Sequence, residues 1–296
     1  MQQMKIGMVG VGLMGHGIAK NVLIGGYHLS FLHHGGNQPD DDLLALGAAR
    51  VEGLRQLAAE SDVILLCLSG SPQVEEVLTG SAGMLAAIRP QTVIIDCSTA
   101  IPASTLRLAA STREAGGQFM DAAMTRTPVE AEQGRLNLLV GAGDDLFARM
   151  RPLLDCFAEN IFHAGDVGAG HTLKLLHNYV SVGFATLLGE AAACARKSGI
   201  PDEVFVDVLA KGGGHGAALD RIAPFLLRND PSGMKFAISN AAKDIAYYLR
   251  MSEDVGAPRD AAAGIDATLR SLTDAGHAEA YLSQAAALFA RPLAQD

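Results

Sequence analysis

The sequence predicts an α/β protein in two parts: a doubly wound sheet over residues 1–164, then an all-α part over 165–296, joined through a long helix. Three observations predict it. Short apolar runs alternate with helix-patterned segments as far as about residue 163, as a parallel sheet wound with helices requires. A glycine-rich G-V-G-L-M-G at 10–15 follows the first run and opens a helical pattern. Beyond Gly170 no strand pattern recurs, and the remainder reads as helices punctuated by Gly or Pro at 199–201, 211–216, 230–233 and 256–258.

The first run, M-K-I-G-M-V at 4–9, is a short strand. In the glycine segment after it, Gly10 permits a tight turn, Gly12 lets backbone approach a pyrophosphate, and Gly15 allows close helix–strand packing. Leu13 and Met14 complete the loop, and the following helix offers free N–H groups and a positive dipole end to phosphates. This is a Rossmann-type dinucleotide fingerprint; the rival reading is a purely structural glycine turn.

The second strand, H-L-S-F-L at 28–32, ends in His33-His34-Gly35-Gly36. A carboxylate that would hold a free ribose 2′-hydroxyl is missing there. Asp40, Asp41 and Asp42 come too late and read as a helix N-terminal cap run. Without that carboxylate a 2′-phosphate is not repelled, and His34 or a loop amide can meet it; equally, His33 and His34 can simply occupy an exposed loop. The cofactor is therefore NADP or NAD, with a slight lean to NADP.

The alternation continues with a helix at about 53–60, a buried strand Val63–Leu68 followed by Ser69, and a helix from Gln73 to Leu78. Thr92–Asp96 is the next strand, ending D-C-S-T, before a helix from near Pro102. Gln118–Asp121 and Leu136–Val140 read as strands with a helix between them, and a further helix covers about 144–156. Ligands bind such sheets outside the carboxyl ends of strands, which places Gly12, Leu68, Ser69, Ser98, Thr99 and the loop after Asp121 on one rim. The hydroxyls of Ser98 and Thr99 suit ribose or amide contacts, and suit capping of the next helix equally well.

The second part begins at G-A-G-H-T-L-K-L-L-H-N, residues 168–178. A helix of roughly 27 residues, about 40 Å long, runs from Gly170. Lys174 and Asn178 stand one turn apart on it, with His171 and Ser181 within about 60° of that direction. Leu176, Tyr179, Val180 and Leu187 take the opposite side. A polar cluster around one lysine, at the junction of two parts, is a candidate active site. A helical lysine by itself is ordinarily a solvated surface residue.

Composition narrows the partners. Hydrophobic content of 49% and charged content of 19% describe a globular chain with ample core. A net charge of −9 argues against non-specific binding to nucleic acid or an anionic membrane, and leaves small anionic ligands open. The four cysteines form no C-x-x-C pair and read as reduced thiols. No apolar leader and no apolar run near 18 residues is visible, so a cytoplasmic protein without membrane partners is expected. No His/Cys/Asp cluster argues for a metal.

Four blocks in order now resemble the β-hydroxyacid dehydrogenase family, which includes 3-hydroxyisobutyrate dehydrogenase and tartronate semialdehyde reductase types and, more distantly, 6-phosphogluconate dehydrogenases. They are I-G-M-V-G-V-G-L-M-G with A-K-N after it; D-A-A-M-T-R-T-P-V-E-A-E-Q-G-R-L-N-L-L-V-G at 121–141; the 168–178 segment, matching G-x-G-x-x-x-K-x-x-x-N; and K-D-I at 243–245 after Phe236. The resemblance implies hydride transfer between a nicotinamide and a small β-hydroxyacid or its aldehyde acid, with Lys174 as general acid/base. Such a lysine needs a lowered pKa, which partial burial in an interdomain cleft and nearby positive charge would supply. It further implies that Asn178 meets the substrate carboxylate or hydroxyl, that Thr125 binds substrate, and that Lys243 closes over the cofactor or helps tune the site. A homodimer or homotetramer is expected on the same ground.

One departure stands out. Family members of the 3-hydroxyisobutyrate type commonly read S-G-G where this chain has Thr125-Arg126-Thr127. An arginine there brings a bidentate anion fork into the substrate loop, as in the G-R-T arrangement of sulfolactaldehyde reductases. The substrate would then carry a second anionic group or a sulfonate; alternatively Arg126 turns away to pair with an acid such as Glu130. An imine reductase shares the architecture, but those enzymes usually carry another residue at the lysine position. A non-catalytic NAD(P)-binding module is the remaining alternative, and retention of Lys174 and Asn178 counts against it.

Overall fold

The computed structural model describes residues 4–289, and the chain divides after Lys174 into two compact units. In the first unit, strands β1 (Lys5–Val9), β2 (His28–Leu32) and β3 (Ala49–Val51) alternate with helices α1 (Gly15–Ile24), α2 (Asp41–Ala45) and α3 (Leu54–Glu60). The alternation continues through β4 (Val63–Leu66), α4 (Ser71–Thr79), β5 (Val93–Asp96), α5 (Pro102–Glu114), β6 (Gln118–Thr125) and α6 (Pro128–Glu132). It ends with β7 (Leu136–Gly141), α7 (Asp144–Leu154), β8 (Ala158–Gly165) and the start of α8 (Ala169–Lys197).

The eight strands form one sheet in the order β3-β2-β1-β4-β5-β6-β7-β8. Both faces are covered, so the central strands alternate between two apolar layers, not between core and water. Ile6, Met8, Phe31, Leu65, Ile95 and Met120 pack with α1, α2 and α7 through Ile18, Val22, Leu43 and Leu153. Val9, Ile64, Leu66, Ile94 and Phe119 face Leu57, Val74, Leu78 and Leu108 of α3, α4 and α5.

The sheet differs from a wholly parallel one at a single pairing, β6 with β7, which is antiparallel. Only residues 126–135 link these strands, and α6 fills five of them. A parallel crossover needs a dozen or more residues, so the chain turns straight back. Strands β3 and β8 are additions to the expected set. The first spans three residues, and the second is an edge strand whose burial falls away after Ala158. Of the acidic run, Asp40 sits at the start of α2 without capping it. Its carboxylate takes the Arg50 guanidinium instead, with Nε donating at 2.9 Å.

The second unit is helical. It holds the rest of α8, then α9 (Asp202–Lys211), α10 (Ala217–Arg228), α11 (Ile238–Asp254), α12 (Asp260–Leu272) and α13 (Ala285–Phe289). Helix α8 buries Val182, Ala185, Leu188 and Ala192 against Ile222, Phe225, Ile245, Ile265 and Leu269. Tyr179 stacks on Tyr248 with ring centroids 4.1 Å apart. Leu176, Val180 and Leu187, read as the apolar side of this helix, are 42%, 69% and 57% exposed. The core takes the neighbouring stripe of Val182, Ala185, Leu188 and Ala192.

Candidate active site

The glycine loop, Leu68, Ser69, Ser98 and Thr99 follow the carboxyl ends of β1, β4 and β5, whereas His33 and His34 follow β2 and Lys243 lies in the second unit. Gly10 has φ +96°, and a Cβ on it would lie 2.2 Å from the Cys67 carbonyl oxygen, so only glycine fits the turn. Nothing comes within 4 Å of a Cβ built on Gly12, leaving its backbone open to a ligand. Helix α1 has no side-chain cap and no acid in its first turn. Its first N–H groups and dipole end therefore suit a pyrophosphate, and the glycine loop fits the expected cofactor. Leu13 is exposed beside it, with Met14 half-buried.

Two predicted rim residues meet directly: Ser98 Oγ accepts from the Leu68 backbone N–H at 2.9 Å. Ser98 is buried and caps no helix, since α5 starts after Ile101 without a side-chain cap. Ser69 is exposed and Thr99 half-buried at the same edge. His33 and His34 are both exposed after β2; His34 Nδ1 accepts the Gly36 N–H at 3.0 Å, which shapes the loop.

The expected strand end at Asp121 is not the end: β6 runs on to Thr125, and the turn begins at Arg126. Thr125 is buried, and its Oγ1 accepts from Asn137 Nδ2 at 3.1 Å. Thr127 starts α6 in a capping box with Glu130, whose carboxylate accepts the Thr127 N–H at 3.0 Å. Arg126 has φ +83°, a backbone region where glycine is at home and a branched or long side chain is strained. Its guanidinium pairs with Glu159 of β8 and donates to the Arg135 carbonyl. The acid that takes Arg126 is thus Glu159 and not Glu130.

A charged clamp beside the glycine loop was not foreseen. His16 Nδ1 lies 2.6 Å from Glu132 and Nε2 2.9 Å from Asp42, while Lys20 Nζ lies within 3.4 Å of both acids. It joins α1 to α2 and α6 and flanks a pocket of about 410 Å³ lined by Leu13, Gln38 and Pro128 among others. Burial works to lower the His16 pKa, but the hydrogen bonds and charges of Glu132 and Asp42 outweigh it and leave it raised above 6.5.

The first turn of α8 is held on the sheet. Gly168 takes φ +94°, and a Cβ on Gly170 would lie 2.3 Å from the Leu139 carbonyl oxygen. The two glycines of G-x-G thus serve a turn and a backbone-on-backbone contact with β7. Lys174, half-buried, follows Gly170 by four residues, about one turn.

In the second unit, Asn178 is buried, and its Nδ2 donates to Asp244 at 2.5 Å while His177 Nδ1 lies 2.9 Å from its Oδ1. Lys243 Nζ is 3.3 Å from the other oxygen of Asp244 and 5.5 Å from the Tyr247 ring centroid. Asp244 thus links two predicted site residues. It stands inside the K-D-I block beside Lys243, and its bond to Asn178, 66 residues away, has no local signal in the sequence. Among the described residues no group of three or more His, Cys, Asp or Glu could hold a metal, and no helix is long and apolar enough to cross a membrane.

A nicotinamide-cofactor oxidoreductase built on a Rossmann-type sheet is the class that this cradle defines. Residues 5–165 match the family model for the NAD binding domain of 6-phosphogluconate dehydrogenase. Residues 168–289 match the model for the NAD-binding region of NADP-dependent 3-hydroxyisobutyrate dehydrogenase. A 2-(hydroxymethyl)glutarate dehydrogenase of Eubacterium barkeri is 31% identical over 259 residues, spanning 87% of this chain and 85% of the relative. A 2-hydroxy-3-oxopropionate reductase of Escherichia coli K12 is 35% identical over 210 residues, 71% of each chain. The solved 3-hydroxyisobutyrate dehydrogenase of Salmonella typhimurium superposes with TM-score 0.83 at 24% identity, over 97% of this chain and 100% of that one. The chain belongs to the β-hydroxyacid dehydrogenase family and is an NAD(P)-dependent oxidoreductase.

Proposed function

We propose that the protein interconverts a small β-hydroxyacid and its aldehyde acid, with Lys174 as general acid/base. Residues 1–164 would hold the dinucleotide, and 165–296 would supply substrate contacts and self-association. The observation that carries the reading is the seating of Lys174 one turn after Gly170, in a helix whose first turn rests on the strand edge. The bound nicotinamide supplies the hydride acceptor or donor. In oxidation Lys174 Nζ takes the proton of the substrate hydroxyl; in reduction it returns that proton to the carbonyl oxygen. Asn178, its amide held by Asp244, orients the substrate carboxylate or hydroxyl, and Thr125 presents the loop that receives it. Lys243, held against Asp244, would close over the cofactor or help tune the site. The absence of an acid at His33–His34 supports NADP slightly over NAD.

A second reading, in which Arg126 takes a second anionic group such as a sulfonate, draws on its positive φ. A strained arginine in a substrate loop has a use to offset the strain. Its pairing with Glu159 involves side chains 27% and 46% exposed, and such pairs are worth only ~0–1 kcal/mol, so a ligand anion can replace the acid. A homodimer or homotetramer in the cytoplasm completes the proposal. Helix α9 has no buried residue, and Val204 and Val208 on it are 51% and 64% exposed, as a face awaiting a second copy would be.

The test is a turnover screen of 3-hydroxyisobutyrate, L-serine, tartronate semialdehyde and 3-sulfolactaldehyde with NADP(H) and NAD(H), run beside Lys174→Ala. The variant should lose at least ~10²-fold in kcat and keep its cofactor affinity. Near-normal turnover in the variant removes Lys174 from the mechanism.

A further inference from the structure

Three ionisable side chains lie at 0% exposure under the start of α8: Asp96, Asp121 and His171. Burying charge is costly unless each group is paired, and a Ser or Thr cap would satisfy a helix start far more cheaply. Asp121 spends both carboxylate oxygens on α8, accepting the Gly168 N–H at 2.6 Å and the His171 N–H at 2.7 Å. The His171 ring is in turn seated: Nδ1 lies 2.7 Å from Thr105 Oγ1 of α5. The same nitrogen is 3.9 Å from Asp121, and Nε2 is 3.9 Å from Asp96. Asp96 gives its other oxygen to the Ser98 N–H at 2.9 Å, on the cofactor rim.

We infer that Asp121 and His171 are positioning residues for Lys174. Asp121 pairs in register with Asp96 of β5 and with Gly141 of β7, so its side chain rises from the seam of three strands. Its two bonds fix α8 along the helix axis. The ring of His171, wedged between Thr105 and two carboxylates, fixes the helix in rotation. Lys174 is three residues on, on the same side of an unbroken helix and about 4.5 Å further along the axis. Any slip or turn of the first residues passes to it undamped. Burial raises the Asp121 pKa, opposed by His171 and the two N–H bonds, which matches a group kept for geometry and not for surface solubility. The inference rests on the reading of Lys174 as the acid/base group.

The test uses the full-length protein as Asp121→Asn and His171→Gln beside Lys174→Ala, with each acid of the panel above that the wild type turns over. Asp121→Asn keeps the volume but loses one acceptor; His171→Gln keeps the backbone bond but loses the ring seat. Each should lower kcat on the order of tenfold, a fraction of the ~10²-fold that a 1 Å misplacement costs, with KM and cofactor Kd within twofold. Independently of turnover, amide exchange across 168–175 should quicken at least tenfold in Asp121→Asn. Folded variants with wild-type kcat and exchange overturn the inference, as does an equal loss of cofactor affinity, which would mark a general structural role. If Asp121→Asn does not fold, His171→Gln decides by the same criteria. If Lys174→Ala stays active, the acid/base reading has failed; if only that variant is inactive, the positioning role alone has failed.

Discussion

Gly170→Ala tests how the active helix is seated. The new Cβ would lie 2.3 Å from the Leu139 oxygen, 2.8 Å from Asp121 Oδ2 and 2.9 Å from the Gly141 nitrogen. Carbon contacts relax only near 3.5 Å, so the helix start must lift by about 1 Å. None of the three obstacles can swing aside: two are sheet backbone and the third is a carboxylate pinned by two N–H bonds. Lifting weakens those bonds, at about 1–3 kcal/mol for a buried group left unpaired, against a gain of about 1 kcal/mol for Ala over Gly in a helix. With overpacking at about 1–3 kcal/mol, a net loss of about 1–5 kcal/mol is expected. For a chain of this size that lowers Tm by roughly 2–8 °C.

The assay is a thermal melt followed by circular dichroism, with kcat measured beside it; kcat should fall by about 10²-fold from the displacement alone. Gly264→Ala is the control, since it lies in α12, is exposed, and its Cβ would meet nothing within 4 Å. It should raise stability by about 0.4–1 kcal/mol. A Gly170→Ala protein that melts at or above the wild type and turns over normally would refute the close-packing argument.

Two more outcomes follow from the same unit. Arg126→Gly should change stability by under ~1 kcal/mol, because relief of positive-φ strain, about 1–2 kcal/mol, is met by glycine's chain entropy and the lost Glu159 pair. Its KM for 3-sulfolactaldehyde should rise at least tenfold while that for 3-hydroxyisobutyrate holds; parallel changes in both would end the anion-fork reading. The His16 clamp gives a pH dependence: with its pKa raised, its stabilisation is full below about 6.5 and is lost as pH rises through the folded value. Glu132 and Asp42 have lowered values, so their share is present above their ordinary range and is lost only in acid. The wild-type Tm should therefore fall from pH 6.5 upward more than that of His16→Gln, and superimposable curves would exclude the clamp.

Legibility in the sequence followed the range of the interaction. The glycine loop, the apolar central strands and the G-x-G-x-x-x-K segment could be read because each is a local pattern with a physical period. Strand β8 could not: A-E-N-I-F-H-A-G on a sheet edge carries no apolar alternation. That omission hid Glu159, so Arg126 was offered Glu130, which the local capping box already occupies. Asp121 was visible only as the end of a strand, because its partners lie 47 and 50 residues away. On α8 periodicity marks the side opposite Lys174 but does not say what covers it: Tyr179 packs into the core, while Leu176, Val180 and Leu187 are exposed.

The G-x-G-x-x-x-K spacing joins two separate demands. Gly170 exists for contact with β7, and Lys174 for chemistry, yet four residues bring the lysine back over the glycine by one helical turn. The contact that anchors the helix thus lies directly beneath the group to be aimed, and the aim depends on one turn of helix. A serine or threonine cap on the helix itself would satisfy the same N–H groups but would move with it. Asp121 comes from the sheet, so its bonds tie the lysine's helix to the frame that carries the glycine loop and Ser98. That difference is a reason for a buried carboxylate to stand where a cheaper cap would serve stability alone.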